Sequence, residues 1–247
     1  MSEAAVSVVV PALDEEAFLP AALRSARDAG ADELIVVDGG SADRTVVISR
    51  PLADLVIAGP RGRSSQMNAG AGASSGRILL FLHADTVLHP RAVDAVREAV
   101  LRGGCIGGAF SVRLSASPSA SACTKAVLLL TGRMIGLRSK LFRAYTGDQG
   151  IFVRKDVFDA LGGFPAIPLM EDVEFSRRLV RRGKTLLLPV RITTSGRRWE
   201  AFGPIRTILL MWRLRLAYSL GMSPARCAEI YRRGKAAGQG VRSGNRV

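Results

Sequence analysis

The chain has 247 residues, 48% of them hydrophobic, which is enough for one large α/β domain with a real core and excludes a disordered chain. Its formal net charge is +14, and much of the basic excess lies between Arg197 and Val247. Such a zone suits an anionic partner such as phosphate, a membrane or nucleic acid, or it is simply solvated. Three widely spaced cysteines argue against a disulfide framework, and no signal peptide is expected before Pro11. A reducing, cytoplasmic location is therefore the default expectation.

Short apolar strands alternate with helices at the start of the chain. Strands are predicted at 7–11, 33–38, 54–58 and 78–83, and helices after Asp14, at 44–49 and at 63–75. This alternation indicates a mostly parallel sheet flanked by helices.

The pattern changes after a helix predicted at 90–101. A half-exposed strand at 107–114 is followed by a flexible connection at 115–121, an apolar helix around 126–130 and a basic loop at 133–143. Further on, strands are predicted at 146–154 and 186–192, and helices at 156–161 and from Glu171 to Arg182.

The tail predicts a helix that begins at Pro204. Apolar residues recur on one face of the segment 204–220, but arginines interrupt them, so no membrane span is predicted. The helix either packs against the main domain or lies on a membrane surface. We expect two parts, a domain at 1–195 and a basic helical extension at 196–247.

Three acidic residues follow predicted strands. Asp14 comes just after the first strand, Asp38 ends the second, and Asp85 follows the strand at 78–83. Carboxyl ends of parallel strands meet at one sheet edge, where a cluster of acids requires a cation or sugar hydroxyls. Helix capping is the stronger interpretation for Asp14 alone, whereas Asp38 and Asp85 favour function.

Four motifs, in order, resemble those of family 2 glycosyltransferases of the GT-A fold, a Rossmann-like α/β architecture. The motifs are Pro11-Ala12-Leu13-Asp14-Glu15-Glu16, Val36-Val37-Asp38-Gly39-Gly40-Ser41-Ala42-Asp43, Leu82-His83-Ala84-Asp85-Thr86 and Met170-Glu171-Asp172. The tail motif Gly196-Arg197-Arg198-Trp199 is also similar to the arsenosugar-biosynthesis-type subgroup of these enzymes.

The resemblance implies a hexosyltransferase-type enzyme with a nucleotide-sugar donor, a UDP-sugar being the first guess. Its base and ribose would lie near Pro11, Asp14 and Asp38. The family's Asp-x-Asp metal motif corresponds to His83-Ala84-Asp85, in which Asp85 would bind Mn²⁺ or Mg²⁺. His83 replaces a carboxylate, and it would bind metal, contact ribose or phosphate, or form a hydrogen bond with the backbone.

Basic residues near a helix start suit the donor diphosphate. Arg61, Arg63 and Asn68 are candidates for this contact, with solvent exposure of the arginines an equal alternative. In the tail, Arg197, Arg198 and Trp199 are candidates for closing over the diphosphate or stacking on a sugar.

Inverting transfer requires a base that deprotonates the acceptor hydroxyl. The resemblance assigns this role to Asp172, with Glu171 as a neighbour, although a helix N-terminus lowers a carboxylate pKa and capping is the alternative. Gly147, Asp148 and Gln149 would line the acceptor side, because glycine allows close backbone approach. The sequence does not identify the acceptor.

Two other functions are alternatives to a glycosyltransferase. A nucleotidyltransferase would use similar acids and metal, but it requires a glycine-rich, lysine-containing loop after the first strand, where this chain has Pro11–Glu16. A nucleic-acid-binding protein would explain the charge, yet only 6% of residues are aromatic and the acids would repel phosphate. No nucleic-acid partner is therefore expected.

Overall fold

The structure is a computed structural model that describes residues 4–243, with side chains up to Arg233. Within this range, eight strands form one sheet flanked by helices, as the sequence predicts. The strands are β1 Val6–Ala12, β2 Glu33–Asp38, β3 Leu55–Ala58, β4 Ile78–Phe81, β5 Thr86–Val87, β6 Gly107–Ser115, β7 Ile151–Arg154 and β8 Thr185–Ser195.

The helices lie on both faces and at the C-terminal end. They are α1 Leu19–Asp28, α2 Thr45–Ser49, α3 Arg63–Ala73, α4 Ala92–Leu101, α5 Ala122–Phe142, α6 Lys155–Ala160, α7 Glu171–Arg182, α8 Arg197–Phe202, α9 Pro204–Ser219 and α10 Pro224–Ser243.

The N-terminal half of the sheet is parallel, in the order β3-β2-β1-β4. Val8 of β1 aligns with Leu34 of β2 and Leu80 of β4, and all three side chains are fully buried. Strands covered on both faces require continuous apolar runs, and these runs are what the sequence shows.

The remaining strands extend the sheet beyond β4 in the order β7-β6-β8-β5. β7 is antiparallel to both β4 and β6, whereas β6 and β8 are parallel with a register shift between Phe110 and Ser111. The sheet is therefore mixed at this end. The carboxyl ends of β1 and β4 face the C-terminal helices.

The core has one layer on each face of the sheet. On one face, α1 and α4 contribute Leu23 and Val96, both fully buried. On the other face, an aromatic cluster joins β4, α6, α7 and the loop between the two helices. Its members are Phe81, Phe158, Phe164 and Phe175.

The prediction of a basic loop at 133–143 is wrong. This stretch is the second half of α5, which begins after Ser121, whose hydroxyl accepts a hydrogen bond from the Thr124 amide. No proline interrupts the segment, and Gly132 allows the helix to lie directly on the backbone of β6. Exposed apolar residues along α5 obscured its helical pattern, because an amphipathic pattern assumes that apolar side chains are buried.

The strand predicted at 146–154 is shorter than expected. Only Ile151–Arg154 is a strand, and a 3₁₀ helix at Gly147–Gln149 precedes it. The side chains of Thr146 and Gln149 form a capping box around this turn. The turn moves residues 147–149 out of the sheet and into the loop region beside α7.

The C-terminal helices pack against the start of α7. Met170 forms a small core with Leu214 of α9 and Cys227 of α10. This packing holds α9 beside the loop that enters α7. The division into parts 1–195 and 196–247 stays a prediction, and β8 ends at Ser195.

Across residues 4–243, no helix combines the length and the apolar character that crossing a bilayer requires.

Gly70 tests the packing of α3 on the sheet. A Cβ at Gly70 would lie 2.3 Å from Val9 Cγ1 and 3.0 Å from Val37 Cγ2, so we expect Gly70→Ala to lower the free energy of unfolding. Overpacking of this kind costs about 1 to 3 kcal/mol, measured by urea denaturation.

Gly72→Ala, on the same helix, is the matched control, because a Cβ at Gly72 would meet no atom within 4 Å. We expect it to stabilise the protein by roughly 0.5 to 1 kcal/mol. Equal effects of the two substitutions would contradict this packing of α3.

Candidate active site

A cavity of about 830 Å³ opens at the carboxyl edge of the sheet. Its size is within the range of ligand-binding pockets, about 300 to 1,000 Å³. Loops after β1 and β4, the start of α3, the start of α7 and helices α5, α8 and α9 form its walls. Predicted site residues on these walls are Pro11, Arg61, Arg63, His83, Ala84, Asp85, Asp148, Glu171, Asp172, Arg197, Arg198 and Trp199.

Arg197 joins two carboxylates on one wall. Its guanidinium forms an ion pair with Asp85 at 3.2 Å and a charge-assisted hydrogen bond with Glu15. The same guanidinium lies over the Phe18 ring, 4.3 Å from the centroid. The pKa of Arg197 is raised, since these carboxylates outweigh its burial. The tail residue Arg197 is therefore a counter-ion of the acid that follows β4.

His83 lies in the turn after β4 with its Nε2 atom buried and without a hydrogen-bond partner. Burial, followed by the positive charges of Arg63, Arg198 and Arg197, lowers the pKa of His83 well below its usual value. The imidazole is therefore neutral at neutral pH. This unpartnered nitrogen is covered by the backbone at Gly147, where an added Cβ would lie 2.5 Å away from it.

Asp172 meets the backbone of the loop before β7. The Gly147 amide donates a hydrogen bond to Asp172 Oδ2 at 2.8 Å, and the Val173 amide donates to Oδ1 at 2.7 Å. A Cβ at Gly147 would lie 2.5 Å from His83 Nε2. Glycine is thus required where the turn passes between His83 and Asp172.

Burial and the neighbouring charge of Glu171 raise the pKa of Asp172 to about 6. The Gly147 hydrogen bond and the Arg63 charge lower it, but they are the smaller effects. The sequence suggested that the helix N-terminus would lower a carboxylate pKa here. The pKa of Asp172 is instead raised, chiefly by desolvation, which leaves a carboxylate suited to accept a proton near neutral pH.

Glu171 is buried beside Asp172 and forms a long ion pair with Arg63, at 3.4 Å. Met170, which precedes them, has φ +71°, a left-handed conformation that costs about 1 kcal/mol or more for a side chain of this kind. Its own side chain is buried against α9 and α10, which holds the conformation in place.

Three of the predicted donor-binding residues form hydrogen bonds with the backbone of other segments or of their own loop. Asp38 accepts hydrogen bonds from the Gly40 and Ser41 amides, at 2.9 and 3.1 Å, and Asp14 accepts one from the Ala42 amide, at 2.8 Å. Asn68 exchanges two hydrogen bonds with the backbone of Phe164. None of these three side chains lines the cavity that the described residues form.

The three residues predicted to line the acceptor side also differ in position. Asp148 lines the cavity, whereas Gly147 lies between His83 and Asp172. Gln149 is fully buried, and its amide oxygen accepts a hydrogen bond from the Ser139 hydroxyl at 2.9 Å.

Sequence reasoning missed three polar residues of the site. Arg138 of α5 reaches the loop before β7, where it donates to Thr146 and Gln149, and its Nε has no partner. Arg215 of α9 also lines the cavity with an unpartnered Nε. Gln66 ties β1 to β2 through the carbonyls of Ala12 and Val37, at 2.8 Å each. Their spacing along the helices did not indicate a role in the site, because arginine and glutamine are common on exposed helix faces.

The residues present fit a divalent metal that is shared with a bound phosphate. Mg²⁺ at such sites binds one or two carboxylates together with substrate phosphates. Asp85 supplies one carboxylate on the cavity wall, whereas the Nε2 atom of His83, in the same turn, is buried against Gly147. Across the described residues, no three Asp, Glu, His or Cys side chains group as an all-protein metal cage.

Residues 7–159 match the model of the family "Glycosyl transferase family 2". The chain belongs to glycosyl transferase family 2. The Mycobacterium tuberculosis protein named PGL/p-HBAD biosynthesis glycosyltransferase is 32% identical over 171 residues, which are 64% of this chain and 62% of that protein. This family 2 member therefore spans less than two thirds of the length of that relative.

Solved structures of low identity share the fold. Staphylococcus aureus TarS in complex with UDP-GlcNAc has a TM-score of 0.60 at 16% identity, covering 77% of this chain and 58% of that chain. Mycobacterium tuberculosis glucosyl-3-phosphoglycerate synthase, in complex with Mg²⁺ and UDP, has a TM-score of 0.56 at 21% identity, covering 77% and 70%. The predicted GT-A fold of this family 2 member is confirmed.

Asp172→Asn tests the raised pKa. Because the native state holds this proton to a higher pH than the unfolded chain does, stability falls as pH rises from the ordinary value of 3.8 through about 6. Asparagine removes this titration. We therefore expect Asp172→Asn to gain stability relative to the wild type as pH rises from about 4.5 to about 7.5, measured by denaturant unfolding.

Asp156→Asn is the control, because Arg154 lowers the pKa of Asp156 and places its titration below this window. We expect its stability difference from wild type to be constant over the same pH range. A constant difference for Asp172→Asn as well would contradict the raised pKa of Asp172.

Proposed function

We propose that this chain is a divalent-metal-dependent, inverting glycosyltransferase that moves a sugar from a nucleoside-diphosphate donor to an acceptor hydroxyl. One observation carries the proposal. Asp172, with a pKa raised to about 6, faces the same cavity as Asp85 and several arginines. A general base and an anion-binding wall thus share one space of ligand size.

The donor side is the wall formed by the loop after β4, the start of α3 and α8. Arg61, Arg63 and Arg198 line the cavity, and guanidinium forks suit phosphate oxygens. The neighbouring folds were solved with UDP-GlcNAc or with UDP and Mg²⁺, which supports a UDP-sugar as the first donor to test. When bound at Asp85, the metal offsets negative charge on the leaving diphosphate.

Arg197 is the residue that must respond to the donor. It pairs with Asp85 and Glu15 in the structure, so Asp85 would hold a metal only after Arg197 has left this ion pair. The freed guanidinium would remain within the same wall, where the diphosphate offers new acceptors. Arg197 would thereby close over the donor, as the tail motif predicts.

The base side is the start of α7. Asp172 accepts the proton of the acceptor hydroxyl while that oxygen attacks the anomeric carbon. The bond from this carbon to the diphosphate oxygen breaks, and the diphosphate leaves with the electron pair on the opposite face of the sugar. The Gly147 amide fixes one oxygen of the base, and Glu171 keeps its proton affinity high.

The motif Gly196-Arg197-Arg198-Trp199 supports the arsenosugar-biosynthesis-type subgroup as the finer assignment. Three of its four residues line the cavity, so the motif contributes to the site itself. Because the same segment begins after β8 ends, we also propose the division between residues 195 and 196 as the boundary of a GT-A domain and a helical extension.

A screen of nucleotide sugars tests the proposed function. The purified chain is incubated with each nucleotide sugar and Mn²⁺, Mg²⁺ or a chelator, and release of nucleoside diphosphate is measured. We expect release with at least one donor and its loss with the chelator. Asp85→Asn should reduce release at least about 100-fold, the scale expected when stabilisation of a leaving-group charge is removed.

Asp159→Asn is the matched control, since Asp159 is an exposed acid of α6 whose long ion pair with Lys155 lies outside the cavity lining. It should release nucleoside diphosphate at the wild-type rate. Wild-type turnover and metal response in Asp85→Asn would reject Asp85 as the metal ligand. Pyrophosphate release from a nucleoside triphosphate and a sugar phosphate would instead support a nucleotidyltransferase.

A further inference from the structure

Helix α5 exposes a continuous apolar stripe. Leu130, Met134, Leu137 and Leu141 follow one another at spacings of four, three and four residues, which places them on one side of the helix. Their side chains are between 38% and 66% exposed. The opposite side of α5 is buried on β6, so the stripe is not a misplaced core face.

Helix α9 repeats this arrangement. Ile205, Leu209, Trp212 and Leu216 have the same spacings and are between 56% and 65% exposed. The inner side of α9 packs through Leu214 against Met170. Helices α5 and α9 contact each other, so the two stripes belong to neighbouring helices. We name these eight exposed residues the α5–α9 face.

Basic residues border the α5–α9 face. The segments of the two helices contain seven Lys or Arg and no Asp or Glu. Arg133 and Lys140 lie beside the α5 stripe, and Arg206 and Arg213 lie beside the α9 stripe, all of them exposed. Among the described residues, none of these four forms an ion pair with a carboxylate. Their charge is therefore left for an external anion.

We infer that the α5–α9 face docks on an anionic lipid membrane surface. Leucine, phenylalanine or tryptophan on one side with lysine and arginine beside them is the pattern of helices that lie in the interface of a bilayer. Apolar side chains enter the acyl boundary of the bilayer, while basic side chains meet the lipid phosphates. A second copy of this chain fits poorly, because symmetric pairing would bring two sets of cationic helices together.

Docking would place the cavity at the membrane surface. Met134, Leu137 and Leu141 of the α5 stripe and Trp212 of the α9 stripe also line the cavity that contains Asp172, whereas Leu130, Ile205, Leu209 and Leu216 do not. The α5–α9 face is therefore continuous with the mouth of the site. Membrane docking itself is independent of the reaction proposed above and can be measured without any nucleotide sugar.

Vesicle sedimentation tests the docking surface. The purified chain is mixed with vesicles of phosphatidylcholine alone, or of phosphatidylcholine with phosphatidylglycerol, and the bound fraction is measured at low and high salt. We expect binding to the anionic vesicles only, weakened by salt because the charges are screened. We expect Leu130→Glu/Leu209→Glu to reduce the affinity at least about 10-fold, since both side chains are exposed and lie outside the cavity lining.

Val47→Glu on α2 is the matched control, because Val47 is 64% exposed and distant in sequence from the face. It introduces the same side chain and should bind like the wild type, with circular dichroism confirming that all variants are folded. Docking is rejected if the wild type stays in solution at low salt, or if the double variant binds as tightly as Val47→Glu. A wild-type dimer that the double variant converts to a monomer would overturn docking in favour of self-association.

Discussion

The hydrogen bond from the Gly147 amide to the Asp172 carboxylate is the contact on which the rest of the site depends. It joins the loop before β7 to the start of α7, two segments that enter the cavity from different elements. The loop passes so close to His83 that only glycine fits. Three parts of the chain therefore meet within van der Waals contact, and the position of each determines the position of the others. A carboxylate fixed in this way is oriented before any substrate arrives.

The environment of Asp172 explains both its chemistry and its effect on stability. Burial and Glu171 oppose its ionisation, and they outweigh the Gly147 amide and the Arg63 charge that favour it. The fold keeps this unfavourable group in place through the packing of Met170 against α9 and α10. The C-terminal helices thus hold the start of α7, which carries Asp172. Arg197 forms an ion pair with Asp85, the acid that follows β4. A desolvated acid beside a strained backbone residue, both held by surrounding packing, is typical of functional sites.

The sequence predicts most of the sheet because buried parallel strands are continuous apolar runs, as at Ile78–Phe81. It also predicts the acids after these strands and the pair at 171–172. It could not predict that Asp38 is occupied by the Gly40 and Ser41 amides, because a strand-end acid looks the same whether it binds a ligand or its own loop. The helix predicted around 126–130 is the first half of α5, but the second half was missed for a related reason: its apolar residues face outward, which no rule based on burial anticipates. Arg138 belongs to that helix and was missed with it.

The pH dependence of sugar transfer tests the central claim, that Asp172 is the base in this cavity. With a saturating nucleotide sugar, the wild-type rate should rise with pH through an apparent pKa near 6 and then level off. Asp172→Asn should bind the donor normally, lose at least about 100-fold of the transfer rate and show no inflection there. If Asp172→Asn transfers sugar at the wild-type rate, or keeps the inflection near pH 6, the base lies elsewhere and the account is wrong.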